Sequence, residues 1–339
     1  MIRIEAQLVR LRTLIARHAR PDETTAIGGV LLSSADTTGE PRASTTGTVF
    51  ALIAQGAKRL AIGDRVYDYR AGQYLVASVD LPITGHFSQA SRREPALGFG
   101  LALRPATIAS LLLEPGPSAS SRSRTAAAPP GLGVADAGPE LLDAVIRMLA
   151  LLDAPGDRAV LAPMLEREIL WRLITGPLGS SIRQIGLADS SMTQISRAVR
   201  WITEHYAQPF RVEDLARSCG MSTSAFHRKF HSVTTLSPIQ FQKQIRLQKS
   251  RLLLMTGADD VSTVGYQVGY DSSSQFNREY SRQFGLPPGR DAARLRGNAP
   301  VISGPDDGVE RRDGDARRSY DGASGSPESV MLPPLYVGF

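Results

Sequence analysis

Apolar residues along the chain change period several times, and each change predicts a different kind of element. In residues 4–18, Ile4, Leu8, Leu11, Leu14, Ile15 and His18 recur every three or four positions with arginines between them. That is the pattern of an amphipathic helix packed on the body of the protein, and it defines an N-terminal segment 1–26. A basic amphipathic helix also suits a membrane surface, but one helix without a second anchor holds a bilayer weakly, so no membrane partner is expected. From Ile27 to Leu113 the pattern shortens to β-rich runs beginning at Val49, Arg59, Arg65 and Gln73, separated by turn signals at Gln55-Gly56, Gly63-Asp64 and Ala71-Gly72. This spacing predicts a sandwich or barrel over 27–113. Such a sheet either holds a small ligand or fills with side chains, and the pattern leaves both open.

Residues 114–139 are rich in Pro, Gly, Ser and Ala and read as a flexible loop. Helical periodicity returns in Leu141 to Leu152 and Leu161 to Ile174 around an Asp153-Ala-Pro-Gly-Asp turn, which predicts a helical hairpin within 140–189. Its leucine-rich faces exceed what one hairpin buries, so they cap the β-domain or join two subunits. Gly176-Pro177 and Gly179-Ser180-Ser181 mark the boundary after it. Residues 298–339 are polar and Gly/Pro/Asp-rich, the composition of a disordered tail as far as Leu332.

The segment 190–297 carries the strongest pattern. Val212, Leu215 and Ala216 form the inward face of a short helix closed by Cys219, a small packing residue. Gly220 supplies a left-handed turn, Met221 fills the angle and Ser222 caps the next helix. There Phe226 and Phe230 face inward, leaving Ser224, His227 and Arg228 outside. The same grammar recurs: Val261, Val264, Gly265 and Val268, a turn at Gly269-Tyr270, a cap at Ser272 or Ser273, then Phe276, Tyr280 and Phe284 inward with Ser274, Asn277 and Arg278 outward. The turn glycines stand 49 residues apart with one long helix, Pro238 to Met255, between them. Two helix-turn-helix units on one rod match successive major grooves, which recur every ~34 Å on one face of a duplex.

Charge sharpens this. The 339 residues carry a net charge of +6, yet 190–297 holds 15 basic against 8 acidic residues while 1–189 is nearly balanced and 298–339 is acidic. The excess therefore sits on the candidate reader, where it favours a polyanion. A single cysteine excludes an internal disulfide and points to a reducing, cytoplasmic setting.

The run from Val268 to Pro288, with the linker from Leu236 to Leu254, resembles the AraC-type transcriptional regulators across about 100 residues. The N-terminal half, through Val49 to Arg59 and Gly63 to Val76, is similar to a ligand-domain subtype of that family. The resemblance implies an α+β protein: an N-terminal cupin-like β-barrel with a helical hairpin, and a C-terminal all-α double helix-turn-helix domain. Two positions depart from the family pattern. Gly265 stands where alanine is common, which costs its helix up to ~1 kcal/mol and suggests a looser second reader. Pro287-Pro288 replaces a Ser-Pro, with no evident consequence.

Expected base contacts are Arg228 and Arg278, whose guanidinium groups match guanine O6 and N7, followed by Ser224, His227, Ser274 and Asn277. A phosphate contact or an internal ion pair is the alternative for either arginine. Thr223, Lys229 and Arg282 are placed for phosphates. Expected partners are double-stranded DNA, a small-molecule effector of unknown site, RNA polymerase and a second copy of the chain. No cofactor or metal is expected, because His86 is the only histidine in 27–113 and catalytic barrels need clustered ligands. No Gly-x-Ser-x-Gly elbow is present either, so an enzyme is the disfavoured reading. A DNA-binding scaffold whose N-terminal domain only dimerises stays open.

Overall fold

The computed structural model describes residues 2–114, 130–187, 190–257 and 260–297. Strand β3 (Val49–Gln55) is apolar at six consecutive positions, and the architecture shows why: both of its faces are covered. It lies mid-sheet in an antiparallel five-stranded sheet ordered β1 (Val30–Ala35), β8 (Ala96–Ala102), β3, β6 (Gln73–Ala77), β9 (Leu132–Asp136). A second antiparallel sheet runs β2 (Arg42–Thr45), β7 (Pro82–Gln89), β4 (Ala57–Ile62), β5 (Arg65–Arg70).

On one face of the larger sheet, Phe50, Leu52, Tyr74, Val76, Phe99 and Leu101 join a core with α1 (Ile2–His18), α2 (Pro105–Leu112), α3 (Pro139–Ala150), α4 (Pro155–Thr175) and α5 (Gly179–Gly186). Phe50 packs edge-on to Tyr74 and Phe99 at 5.4 and 5.9 Å. On the other face, Val49, Ile53, Leu75 and Ala77 meet Leu60, Ile62, Tyr69 and Ile83 of the smaller sheet. This second core does not stop at the sheets. It continues through Leu132 into Met192, Val199, Ile202, Leu215, Phe226, Phe230, Val233 and Phe241 of the C-terminal helices. A third, separate core holds Leu247, Leu254, Val264, Val268, Tyr270, Phe276 and Tyr280.

Two facing antiparallel sheets carry the N-terminal half, consistent with the expected cupin-like β-domain, and the expected loop 114–139 needs correction. Residues 132–136 pair with β6 as an edge strand, Tyr74 opposite Ala135 and Val76 opposite Gly133; residues 115–129 lie outside those described. α2 and α5 also replace expected strand and boundary. Gly179 and Gly186 permit α5, because a Cβ at Gly179 would stand 2.1 Å from the Ile174 carbonyl oxygen and one at Gly186 2.7 Å from the Ile108 side chain. Ile182 and Ile185 then bury one face, and that burial outweighs the poor helix propensity of Gly and Ser. The hairpin is present as α3 and α4. It caps the larger sheet but leaves Val160 67% and Met164 61% exposed on its outer side. No helix among the described residues is long and apolar enough to cross a membrane. The tail 298–339 lies outside them.

Candidate nucleic-acid interface

The first unit comprises α6 (Ser191–Glu204), α7 (Val212–Ser218) and α8 (Thr223–Thr234). Cys219 caps α7 and is buried, which pushes its thiol pKa up and keeps it protonated. Gly220 takes φ +70°, and the Ser222 hydroxyl accepts the Ala225 N–H at 3.4 Å. Phe226 and Phe230 then point inward with rings 5.4 Å apart, and Phe230 packs edge-on to Phe241. The opposite face of α8 presents Ser224, His227 and Arg228, all exposed; Thr223 and Lys229 flank it, half-buried.

α9 (Pro238–Thr256) leads to the second unit, α10 (Val261–Gln267), α11 (Ser273–Phe284) and α12 (Pro288–Gly297). A capping box at Ser237 and Gln240 opens the rod, and its 19 residues span roughly 28 Å at 1.5 Å each. Asp260 caps α10 through the Ser262 and Thr263 amides. Ser272, not Ser273, caps α11. Phe276 and Tyr280 are buried, while Ser274, Asn277, Arg278 and Arg282 are exposed. From the residue after each capping serine, α8 and α11 share one burial order for eight positions. The six expected base-contact residues thus form matching triplets, one on each helix. Among the described residues neither Arg228 nor Arg278 forms an ion pair, so the internal-pair alternative finds no carboxylate here.

Gly265, poor in helix propensity, has a packing role in the second unit. A Cβ there would lie 3.0 Å from the Phe276 ring, so the missing side chain is where the ring packs.

Sequence reasoning overlooked the polar residues that tie the units to α9. Arg251, only 15% exposed, donates to the fully buried Asp291 of α12 at 2.8 and 3.3 Å, and Tyr280 and Arg294 donate to the same carboxylate at 2.9 and 3.1 Å. Burial raises the Asp291 pKa, but the bonds from Arg251 and Tyr280 outweigh it and hold the carboxyl below its usual range. Lys243 pairs with Glu279 at 2.8 Å, and Glu279 also accepts from Tyr270 at 2.9 Å. No sequence signal separated these residues from an ordinary solvated helix face.

The N-terminal half touches both units. Thr235, itself at φ +63°, donates to the Ile62 carbonyl at 3.3 Å, and Gly131 N–H donates to the Val233 carbonyl at 3.0 Å. Gln248 of α9 donates to the Ser44 and Ile83 carbonyls at 3.1 and 3.3 Å, and Arg294 of α12 pairs with Glu40. Between the sheets, Lys58 is the one buried basic residue among those described, 5.2 Å from the Phe87 ring centroid. Burial lowers its pKa to about 8, partly opposed by the Glu23 carboxylate.

Residues 26–181 match a family model described as the AraC-type transcriptional regulator N-terminus, and residues 215–294 match a helix-turn-helix domain. The HTH-type transcriptional activator RhaS of Citrobacter koseri is 27% identical over 156 residues, which is 44% of this chain and 56% of RhaS. RhaS of Salmonella schwarzengrund is 27% identical over 157 residues, 45% of this chain and again 56% of the relative. The chain therefore spans little more than half the length of these relatives. Among solved structures, ToxT of Vibrio cholerae strain SCE256 with an unsaturated fatty acid bound has a TM-score of 0.50 at 13% identity, covering 80% of this chain and 98% of ToxT. An apo ToxT variant has a TM-score of 0.50 at 12% identity, covering 80% and 100%. At such identity the likeness carries the fold alone.

Proposed function

We propose that the chain is a member of the AraC-type transcriptional regulators and a sequence-specific DNA-binding regulator of transcription, a reading supported by the match of residues 26–181 to that family's N-terminal model and of residues 215–294 to a helix-turn-helix domain. The observation that carries the reading is the pair of exposed triplets on α8 and α11, each backed by the same aromatic core pattern and each holding an arginine without an ion-pair partner. Arg228 and Arg278 read guanine edges, and Ser224, His227, Ser274 and Asn277 read neighbouring bases; Thr223, Lys229 and Arg282 meet phosphates. The protein works in the cytoplasm, where promoter DNA and RNA polymerase are its partners.

The N-terminal sheets sense a small effector. Lys58 favours an effector with an anionic group, which would exchange places with the Glu23 carboxylate. Because the inter-sheet core continues into α8, a ligand that repacked those side chains would move the first reader. The second reading, an N-terminal domain that only dimerises, draws on the apolar core of Val49, Ile53, Leu60, Ile62, Leu75 and Ile83 that the two sheets bury between them. In either case the second copy docks on the outer side of α4 through Val160 and Met164. Met164→Glu is expected to convert a dimer to a monomer in sedimentation equilibrium; an unchanged mass would remove that interface.

The function is tested by binding full-length protein to duplexes selected from a random library. Arg228→Ala and Arg278→Ala are each expected to cut the preference for selected over random DNA by about 5–150-fold, the equivalent of ~1–3 kcal/mol per bidentate contact, while random-sequence affinity changes little. Equal loss on both DNAs would make these residues phosphate contacts. No preference in the wild type would end the proposal.

A further inference from the structure

The side chain of Arg246 lies midway along α9, at the junction of the two helix-turn-helix units. Its Nε donates to the Tyr206 carbonyl at 2.7 Å, and Nη2 faces the Ala207 and Gln208 carbonyls at 3.3 and 3.5 Å. These three residues lie in the segment joining α6 to α7, within the first unit. Nη1 donates to the Gly269 carbonyl at 2.7 Å, in the turn of the second unit. The guanidinium carbon lies 5.9 Å from the Tyr270 ring centroid.

Backbone meets backbone at this junction. Gly269 has φ +92°, and a Cβ there would stand 2.2 Å from the Ala207 carbonyl oxygen. One turn before Arg246, Gln242 donates to the Tyr206 and Gln208 carbonyls at 3.0 and 2.7 Å. The bonds therefore run between units as well as within one. A guanidinium suits the task because its donors form a rigid planar fork, whereas a lysine ammonium is a compact point charge on a flexible stem.

We propose that Arg246 is a positioning residue that fixes the placement of α11 relative to α8, and so sets the number of base pairs the protein accepts between its two sub-sites. This rests on the reading of both helices as DNA readers. Arg246 itself touches no base. Adding one base pair between sub-sites turns the second by about 35° and carries it about 3.4 Å along the duplex. A pair of readers locked at the junction loses one set of contacts on such a site. A pair joined only by α9 packing follows the displaced sub-site at lower cost.

The experiment uses full-length protein and the two-part site that the wild type selects from a random duplex library, remade with the spacer lengthened or shortened by one base pair. The wild type is expected to lose about tenfold or more on either altered spacer. Arg246→Met is expected to bind the original site about tenfold more weakly yet distinguish the three spacers by less than about threefold. Arg246→Lys, which keeps the charge and loses the fork, should fall between them. Thermal unfolding checks that each variant folds, and if the Met variant does not, the Lys variant decides through the steepness of its spacer profile. A spacer profile as steep as the wild type's, with affinity alone reduced, would show a purely structural role and overturn the proposal. A wild type that selects only a single sub-site removes the two-reader premise and the proposal with it; a two-part wild-type site with unaltered variants removes the proposal alone.

Discussion

Replacing Asp291 with alanine tests whether the second reader is held to the rod by a buried charge cluster. The carboxylate has no solvent exposure and accepts from Arg251, Tyr280 and Arg294. Removing it leaves the Arg251 guanidinium, 15% exposed, without its counter-charge, at a cost of about 3–5 kcal/mol for breaking a buried pair from one side. The Tyr280 hydroxyl loses its partner as well, worth ~1–3 kcal/mol taken alone. These terms share one site and do not add, and Arg251 keeps its existing contact with the Phe284 ring, 4.6 Å away, so the cation is not left wholly uncompensated. About 3–4 kcal/mol is therefore expected, a large share of the 5–15 kcal/mol typical of a domain. Because the Asp291 carboxyl titrates below its unfolded value near 3.9, its contribution is complete above about pH 4 and fades as acid carries the pH through the lower folded value. Denaturant unfolding followed by far-UV circular dichroism, at pH 7 and at pH 3, measures both effects. The variant should be less stable at pH 7, and its difference from wild type should narrow at pH 3 by no more than about 1.3 kcal/mol, the most that protonating one carboxyl contributes that far below ~3.9. Stability within about 0.5 kcal/mol of wild type at pH 7 would refute the reasoning, because it would mean the cluster is solvated.

Two further perturbations follow from the cores. Lys58→Met should stabilise the protein near neutral pH: a pKa near 8 in the folded state against ~10.4 unfolded corresponds to roughly 3 kcal/mol held against folding while the amine is charged. Wild-type stability should accordingly rise from about pH 8 towards 10, and the variant should lack that rise; a parallel pH profile in the two would count against a buried amine. Phe226→Ala and Phe276→Ala should each cost about 3–5 kcal/mol, but the first should also increase amide exchange in β4 and β6, while the second should leave the sheets unchanged. Exchange confined to the C-terminal helices in both variants would contradict the shared core.

The C-terminal units were legible because their information is local. Gly220, Ser222, Phe226 and Phe230 repeat as Gly269, Ser272, Phe276 and Tyr280 at nearly the same offsets, and each offset has its own physical reason. β3 was legible too, since only a strand covered on both faces is apolar without alternation. β9 was hidden, because five residues at a sheet edge inside a Pro- and Gly-rich stretch carry no periodicity of their own. α5 was hidden by Gly179 and Gly186, whose role appears only when the chain returns against Ile174 and Ile108. Arg246 reads as one more basic residue on a helix until the carbonyls of residues 206–208 and 269 are seen around it.

The interior shared by the paired sheets and α8 has a consequence for anyone cutting this chain. A fragment starting near residue 190 would bare Val233 and Leu236 to water, and one ending near residue 189 would uncover Leu132 and Val79. Neither half is a ready-made cassette. A chimera that grafts these readers onto another sensor must import the strand ends that seal the first of them, whereas the second has a core of its own that closes against residues 206–208 and travels only with that segment.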